Sequence, residues 1–272
     1  MRQFGNYSGK KLKWGYSNIL YDGTVKTNNC AVVIPIYKTV LTKIESASLQ
    51  KVINTLGSNY DIYLLHGKSL KINSLSEKFN FIFGDCSCED VFLSGRAPYS
   101  DMCEMKEFYQ MFSKYQYILI YQLDAWIFED RLEYFIKHDY DFYGSIHTFS
   151  GHSNAVGNGG FSLRKVSSFI KVCTKYENKN IDIPSTYPED LCFTVGLKNE
   201  IKIAPLNLCL EFGFQNSPKL LFIKNKNKLP MGCHAFEKCD FNWWKKYIKI
   251  ENMTVTEPKT ISEKLLWPKS NY

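Results

Sequence analysis

The sequence predicts an α/β fold with a mostly parallel central sheet covered by helices, and three observations carry the expectation. Ala31 to Tyr37 (AVVIPIY) is an unbroken β-branched apolar run, the pattern of a strand buried on both faces. A helical pattern from Leu41 to Leu56, including Glu45, Leu49 and Val52, follows it. Asp61 to Leu65 (DIYLL) then reads as a second buried strand, so strand and helix alternate as in βαβ units.

Phe79 to Phe83 (FNFIF) reads as the third strand. From Met102 to Tyr115, the apolar residues Met105, Phe108, Tyr109 and Phe112 fall on one helical face. That helix leads into Tyr117 to Tyr121 (YILIY), the expected central strand. Ligands of open α/β sheets bind beyond the carboxyl ends of such strands, which marks Gln122, Leu123, Asp124 and Ala125. The second half predicts a strand at Asp141 to Ile146, a glycine-rich stretch at Gly157 to Gly160 ahead of a strand or helix start, a helix from Val166 to Tyr176 and a Pro-Glu-Asp turn at Pro188. No linker, repeat or low-complexity tract interrupts the chain. A single domain over 30–244 is expected, with a nucleotide-binding half near 30–130 and an acceptor half near 131–244. Extensions of 1–29 and 245–272 flank it.

With 272 residues and 44% hydrophobic content, the chain can bury a full core and disorder is excluded. The net charge of +7 favours an anionic partner. The lysines are scattered and no recognition motif accompanies them, which argues against a nucleic-acid reader. Aromatics, at 15%, pack cores and also stack on sugar rings. Met1 to Lys13 lacks an apolar signal core, and Tyr117 to Phe128 is too short to span a bilayer and carries Asp124. A cytoplasmic protein is the expectation. Peripheral contact at the inner face of the cell membrane would run through Phe241 to Lys249, where aromatics alternate with lysines; a packed helix is the competing reading of that segment. Nine cysteines with no CxxC pair fit reduced thiols better than a disulfide framework or zinc site.

Four motifs can carry chemistry. Asp124 closes an apolar strand, where a carboxylate is costly unless it holds a metal, a ribose hydroxyl or a charge partner; a simple turn cap is the alternative. Gly157 to Arg164 (GNGGFSLR) lets backbone approach a bulky ligand, though it matches neither the Walker spacing nor the dinucleotide fingerprint. Glu189 and Asp190 stand at a helix start, favoured there by the dipole, and either could take a proton from an acceptor hydroxyl. His234 follows Pro230 and Gly232 in a returning loop, and its imidazole could complete a metal site or neutralise a diphosphate.

Taken in order, VVIPIY (32–37), YQLDA (121–125), GNGGFSLR (157–164), Glu189-Asp190 and Gly232-Cys233-His234 resemble a bacterial and fungal family long known only as a domain of unknown function and grouped with GT-A-type glycosyltransferases. The resemblance covers roughly Cys30 to Trp244. It implies a GT-A-like, Rossmann-like sheet and transfer of a sugar from a nucleotide-sugar donor, a UDP-hexose by analogy. The acceptor would be a glycan or lipid-linked glycan in surface-polysaccharide assembly. By the same resemblance, Pro35, Ile36 and Tyr37 hold the nucleotide base, and Asp124 with Ala125 forms the acidic motif. Asn158, Gly159 and Gly160 line the sugar pocket, and Asp190 is the inverting base beside Glu189. Asp124 and His234 would hold a divalent cation, manganese or magnesium. Trp126 stands where the usual motif has its second acid, which departs from that pattern. Without a metal, Arg96 or Arg164 would have to stabilise the leaving diphosphate. Two other readings compete: a sugar nucleotidyltransferase, which lacks support because no glycine- and arginine-bearing loop follows the first strand, and a non-catalytic glycan-binding module, which would not require both Asp124 and the Glu189-Asp190 pair.

Overall fold

The computed structural model describes residues 2–4, 13–16, 29–147, 156–184 and 187–250. Most of the expected N-terminal extension, and the C-terminal extension beyond 250, lie outside the described residues.

A ten-stranded mixed sheet organises these residues. Its order is Gly15–Tyr16, Gly84–Cys88, Asp61–Gly67, Cys30–Ile36, Tyr117–Tyr121, Val156–Lys165, Phe142–Ile146, Gly213–Phe214, Gly232–Cys233 and Trp126–Ile127. Five neighbouring pairs are parallel and four antiparallel. The fold class is therefore α/β, with helices on both faces. The Cys30–Ile36 strand shows why its sequence is uniformly apolar. Val32 and Ile34 face a core closed by Leu49, Val52 and Leu56 of the Lys43–Leu56 helix, while Ala31 and Val33 face a second core containing Phe108, Phe112 and Phe169. Alternate side chains thus feed two covered faces.

A capping box starts the Lys43–Leu56 helix: Glu45 N–H donates to Thr42 Oγ1 at 3.2 Å and Thr42 N–H donates to Glu45 Oε2 at 2.7 Å. One turn later, Ser48 Oγ donates to the Ala125 carbonyl at 2.7 Å. This bond pins the turn after the central strand against the helix.

Two local expectations need correction, and the glycine-rich stretch gains a definite place. Phe79 to Phe83 is not a strand: Phe79 ends the Asn73–Phe79 helix, Asn80 caps it at φ 46°, and Phe81 and Phe83 form an aromatic pair at 5.0 Å. The apolar run is a cap with core anchors, and the third strand is Gly84–Cys88. The single helix expected over 102–115 is split into Arg96–Cys103 and Lys106–Gln110 by an extended Met105. This break lets Met102, Met105 and Phe108 all enter the same core. Finally, the glycine-rich stretch belongs to the long Val156–Lys165 strand. Its register against Phe142–Ile146 slips: Gly144 faces Ser162 but Ser145 faces Asn158. The slip is a bulge, and it sets Gly159 and Gly160 off the regular ladder.

The segment considered for membrane contact packs inward. Trp243, Trp244 and Ile248 are buried, and Phe241 and Tyr247 pack on the same core. Among the described residues no helix is long and apolar enough to cross a membrane. All nine cysteines are free thiols, eight of them buried.

Candidate active site

Two chain crossings assemble the site at the carboxyl end of the central strand. The first joins Trp126–Ile127 to Gly232–Cys233, with Trp126 opposite Cys233. Because Asp124 lies two residues before one member of that pair and His234 one after the other, antiparallel pairing brings the two side chains together. Asp124 Oδ1 and His234 Nε2 stand 3.1 Å apart. The chain then turns through Ala235, whose φ of 51° is left-handed, and Lys238 N–H donates to the Ala235 carbonyl at 3.0 Å. That turn carries Lys238 back over Asp124, where Nζ donates to Oδ2 at 2.9 Å.

The second crossing sets the Pro188-Glu189-Asp190 turn against the bulged strand. Gly159 N–H donates to Asp190 Oδ2 at 3.0 Å, and Leu191 N–H donates to Asp190 Oδ1 at 2.8 Å. Glu189 sits in a different environment. Its Oε1 accepts from Arg164 Nη2 at 3.0 Å and its Oε2 from Ser100 Oγ at 3.1 Å. Arg164 is fully buried and also donates to Ser162 Oγ at 3.1 Å and Tyr109 Oη at 2.9 Å. Both glycines of the bulge are required by close approach: a Cβ on Gly159 would collide with Glu189 Oε1, and one on Gly160 with His234 Nε2 and Gln122 Oε1. The Gly-Gly pair is thus the spacer that lets the two carboxylate clusters share one wall.

Two cavities meet here. A cavity of about 410 Å³ is lined by Pro35, Ile36, Tyr37, Lys38, Leu41 and Asp124, among others. A larger one, of about 790 Å³, takes in Arg96, His147, Asn158, Glu189, Asp190 and Gln215. Tyr37, Gln122, Asp124 and Lys238 line both. A ligand extending from the small cavity into the large one must pass these four side chains.

The electrostatics of the carboxylates diverge. Burial on its own would raise the Asp124 pKa, but His234 and Lys238 outweigh it and hold this carboxyl well below the usual carboxylate range. Asp190 moves the opposite way. Burial and the adjacent Glu189 push it up to about 7, against the pull of the Gly159 and Leu191 N–H groups and of Arg164. His147, lowered to about 4 by burial, His234 and Arg96, is neutral at pH 7.

Whether Asp124 and His234 fit a divalent cation depends on their protons. The 3.1 Å gap would suit two adjacent ligands of an octahedral ion, about 3 Å apart at bond lengths of about 2.1 Å. However, His234 Nε2 faces two acceptors, Asp124 Oδ1 and Gln122 Oε1 at 3.1 Å, so the proton belongs on Nε2. Moving it to Nδ1 would strand an N–H, because Nδ1 is buried with no hydrogen-bond partner among the described residues. Metal-ligating imidazoles normally anchor that second nitrogen. Lys238 already holds the other Asp124 oxygen, and Trp126 turns its ring into the core against Phe236. This donor set does not fit a divalent ion.

Of the residues singled out from sequence, the structure gathers Tyr37, Arg96, Asp124, Asn158, Gly159, Gly160, Glu189, Asp190 and His234 around the large cavity. Pro35 and Ile36 line the small one. Ala125 is buried and lines neither, its carbonyl serving instead as the anchor for Ser48. Arg164, expected at the donor diphosphate, is instead buried and committed to Glu189. Gln122, marked by its place beyond the central strand, lines both cavities, whereas sequence reasoning missed His147, Gln215 and Lys238. Lys238 was findable, four residues past His234 in a turn-prone stretch. The others carry no local signal, since each is placed by long-range strand pairing.

The family comparison covers much of this site. Residues 86–234 match the model of a family described as "Protein of unknown function (DUF5672)". The chain belongs to that family. Its description assigns no activity, and no curated protein matches the sequence. Among solved structures, the chain is similar in arrangement to the apo form of the glycosyltransferase GlyE of Streptococcus pneumoniae TIGR4, with TM-score 0.48 and 14% identity over 77% of this chain and 54% of that one. It thus spans about half the length of GlyE. A galactosyltransferase LgtC in complex with donor and acceptor sugar analogues gives TM-score 0.46 and 12% identity over 75% and 86%. Core-mannan synthase A of Aspergillus fumigatus, in its Mn/GDP form, gives TM-score 0.43 and 10% identity over 70% and 75%.

Proposed function

We propose that the chain is an inverting glycosyltransferase that moves a hexose from a nucleoside-diphosphate sugar onto an acceptor hydroxyl. One observation carries this reading. A small cavity beside the first strand opens past Asp124 into a larger one whose wall holds Asp190, a carboxylate poised near neutral pH. The base and ribose would occupy the small cavity against Pro35, Ile36 and Tyr37, and the transferred sugar and acceptor the large one. Residues 30–244 would form the catalytic unit.

In this mechanism Asp190 accepts the proton of the acceptor hydroxyl as that oxygen attacks the anomeric carbon. A pKa near the working pH suits a general base. Whereas Asp190 accepts only from neutral backbone N–H groups, Glu189 is committed to the cationic Arg164 guanidinium and does not compete for the role. Its work is to fix Arg164 and raise the proton affinity of its neighbour. The Gly159 N–H bond orients Asp190 toward the cavity. Asp124, kept ionised by Lys238 and His234, is suited to a ribose or sugar hydroxyl.

A UDP-hexose donor, the furanose form of galactose included, and a glycan or lipid-linked glycan acceptor are the substrates proposed, with surface-polysaccharide assembly at the cytoplasmic face of a membrane as the setting. The test is a panel of nucleotide sugars offered to the full chain. A true donor should raise the melting temperature by mass action and be hydrolysed slowly or transferred. If no member stabilises the protein and none is consumed, the reading fails.

A further inference from the structure

Among the described residues, Lys238 is the one cation that lines both cavities. Its Nζ lies 2.9 Å from Asp124 Oδ2, its side chain is half exposed, and it stands with Tyr37, Gln122 and Asp124 at the only shared wall of the two described cavities. Two further facts isolate it. Arg164 is sealed in the core by Glu189, and a divalent ion on Asp124 and His234 would force the imidazole proton onto Nδ1, which is buried with no hydrogen-bond partner among the described residues.

We propose that Lys238, and not a bound metal, supplies the positive charge that receives the departing nucleoside diphosphate. The inference rests on the glycosyltransferase reading above and assigns its leaving-group chemistry. As the acceptor oxygen bonds to the anomeric carbon, the bond from that carbon to the β-phosphate oxygen breaks. Its electron pair leaves with the diphosphate, and the acceptor proton goes to Asp190. Lys238 transfers no proton. Its ammonium swings or leans from Asp124 toward the phosphate oxygens, and Asp124 keeps it charged and aimed: burial by itself would lower the Lys238 pKa, but the Asp124 carboxylate raises it above the ordinary lysine value. Arg96, which also lines the large cavity, can add a second contact. A lysine used as a point charge for phosphate is well matched to this task.

Calorimetric titration of the full chain with UDP, GDP and ADP, in excess EDTA and again with manganese, tests the assignment. The expected result is diphosphate binding of equal affinity in both buffers. Lys238→Met should weaken it at least tenfold while leaving the corresponding nucleoside's affinity unchanged, and Lys238→Arg should restore part of the loss. Melting curves confirm that the variants fold, which a half-exposed side chain permits. Binding that appears only with manganese, or a Lys238→Met protein that binds diphosphate as the parent does, overturns the inference while leaving sugar transfer standing. A chain that binds none of the three in either buffer removes the transfer reading and this assignment together.

Discussion

The two carboxylate clusters sit on one wall and are built on opposite principles. Asp124 faces two cationic or proton-donating side chains from a single returning turn, stays partly exposed, and is held ionised. Glu189 and Asp190 are neighbours in sequence and both buried, and the buried Arg164 pairs with the first. The contrast teaches how a protein divides labour among acids. A carboxylate given its own cations becomes a fixed charge, whereas one buried beside an already paired acid becomes a proton acceptor tuned near neutrality.

Breaking the buried pair should have the largest effect. Arg164→Met leaves Glu189 buried without its cation and is expected to destabilise by about 3–5 kcal/mol in urea unfolding. Adding Glu189→Gln should recover much of that loss; if the double variant is no better than the single, the pair is not what Arg164 stabilises.

Next comes chemistry. Asp190→Asn is expected to lower turnover by about a hundredfold or more with donor affinity nearly intact, measured by transfer rate and titration side by side. Parent-like turnover in a folded variant would move the base elsewhere.

Gly160→Ala attacks the spacer between the clusters. Its methyl must displace His234 or Gln122, an overpacking cost of about 1–3 kcal/mol, and donor affinity should fall with it. A melting temperature equal to that of the parent would show the wall to be softer than its contacts indicate.

The smallest effect expected is on the pH profile. Transfer should rise with pH through about 7 as Asp190 loses its proton. Stability should run the other way. The folded state holds this proton more tightly than the unfolded chain, so the contribution is complete below about pH 4 and is lost as pH rises through about 7. Asp190→Asn should flatten that part of the stability curve, as followed by urea midpoints at pH 5 and 8.

Much of this architecture was legible in the chain itself, because hydrophobic periodicity is local. The strands at Cys30–Ile36, Asp61–Gly67 and Tyr117–Tyr121, the helix Lys43–Leu56, and the placement of Asp124 beyond a central strand all follow from runs of neighbouring side chains. So does the pairing of Glu189 and Asp190 at a helix start. Tertiary structure decided the rest, for one reason: charge and access depend on what other segments bring near. Only strand pairing put Cys233 opposite Trp126 and so Lys238 on Asp124. Only packing of the Pro188 turn on the bulged strand showed that Arg164 belongs to Glu189 and is hidden from any ligand. An arginine in sequence is a candidate phosphate ligand; in this core it is a counter-ion.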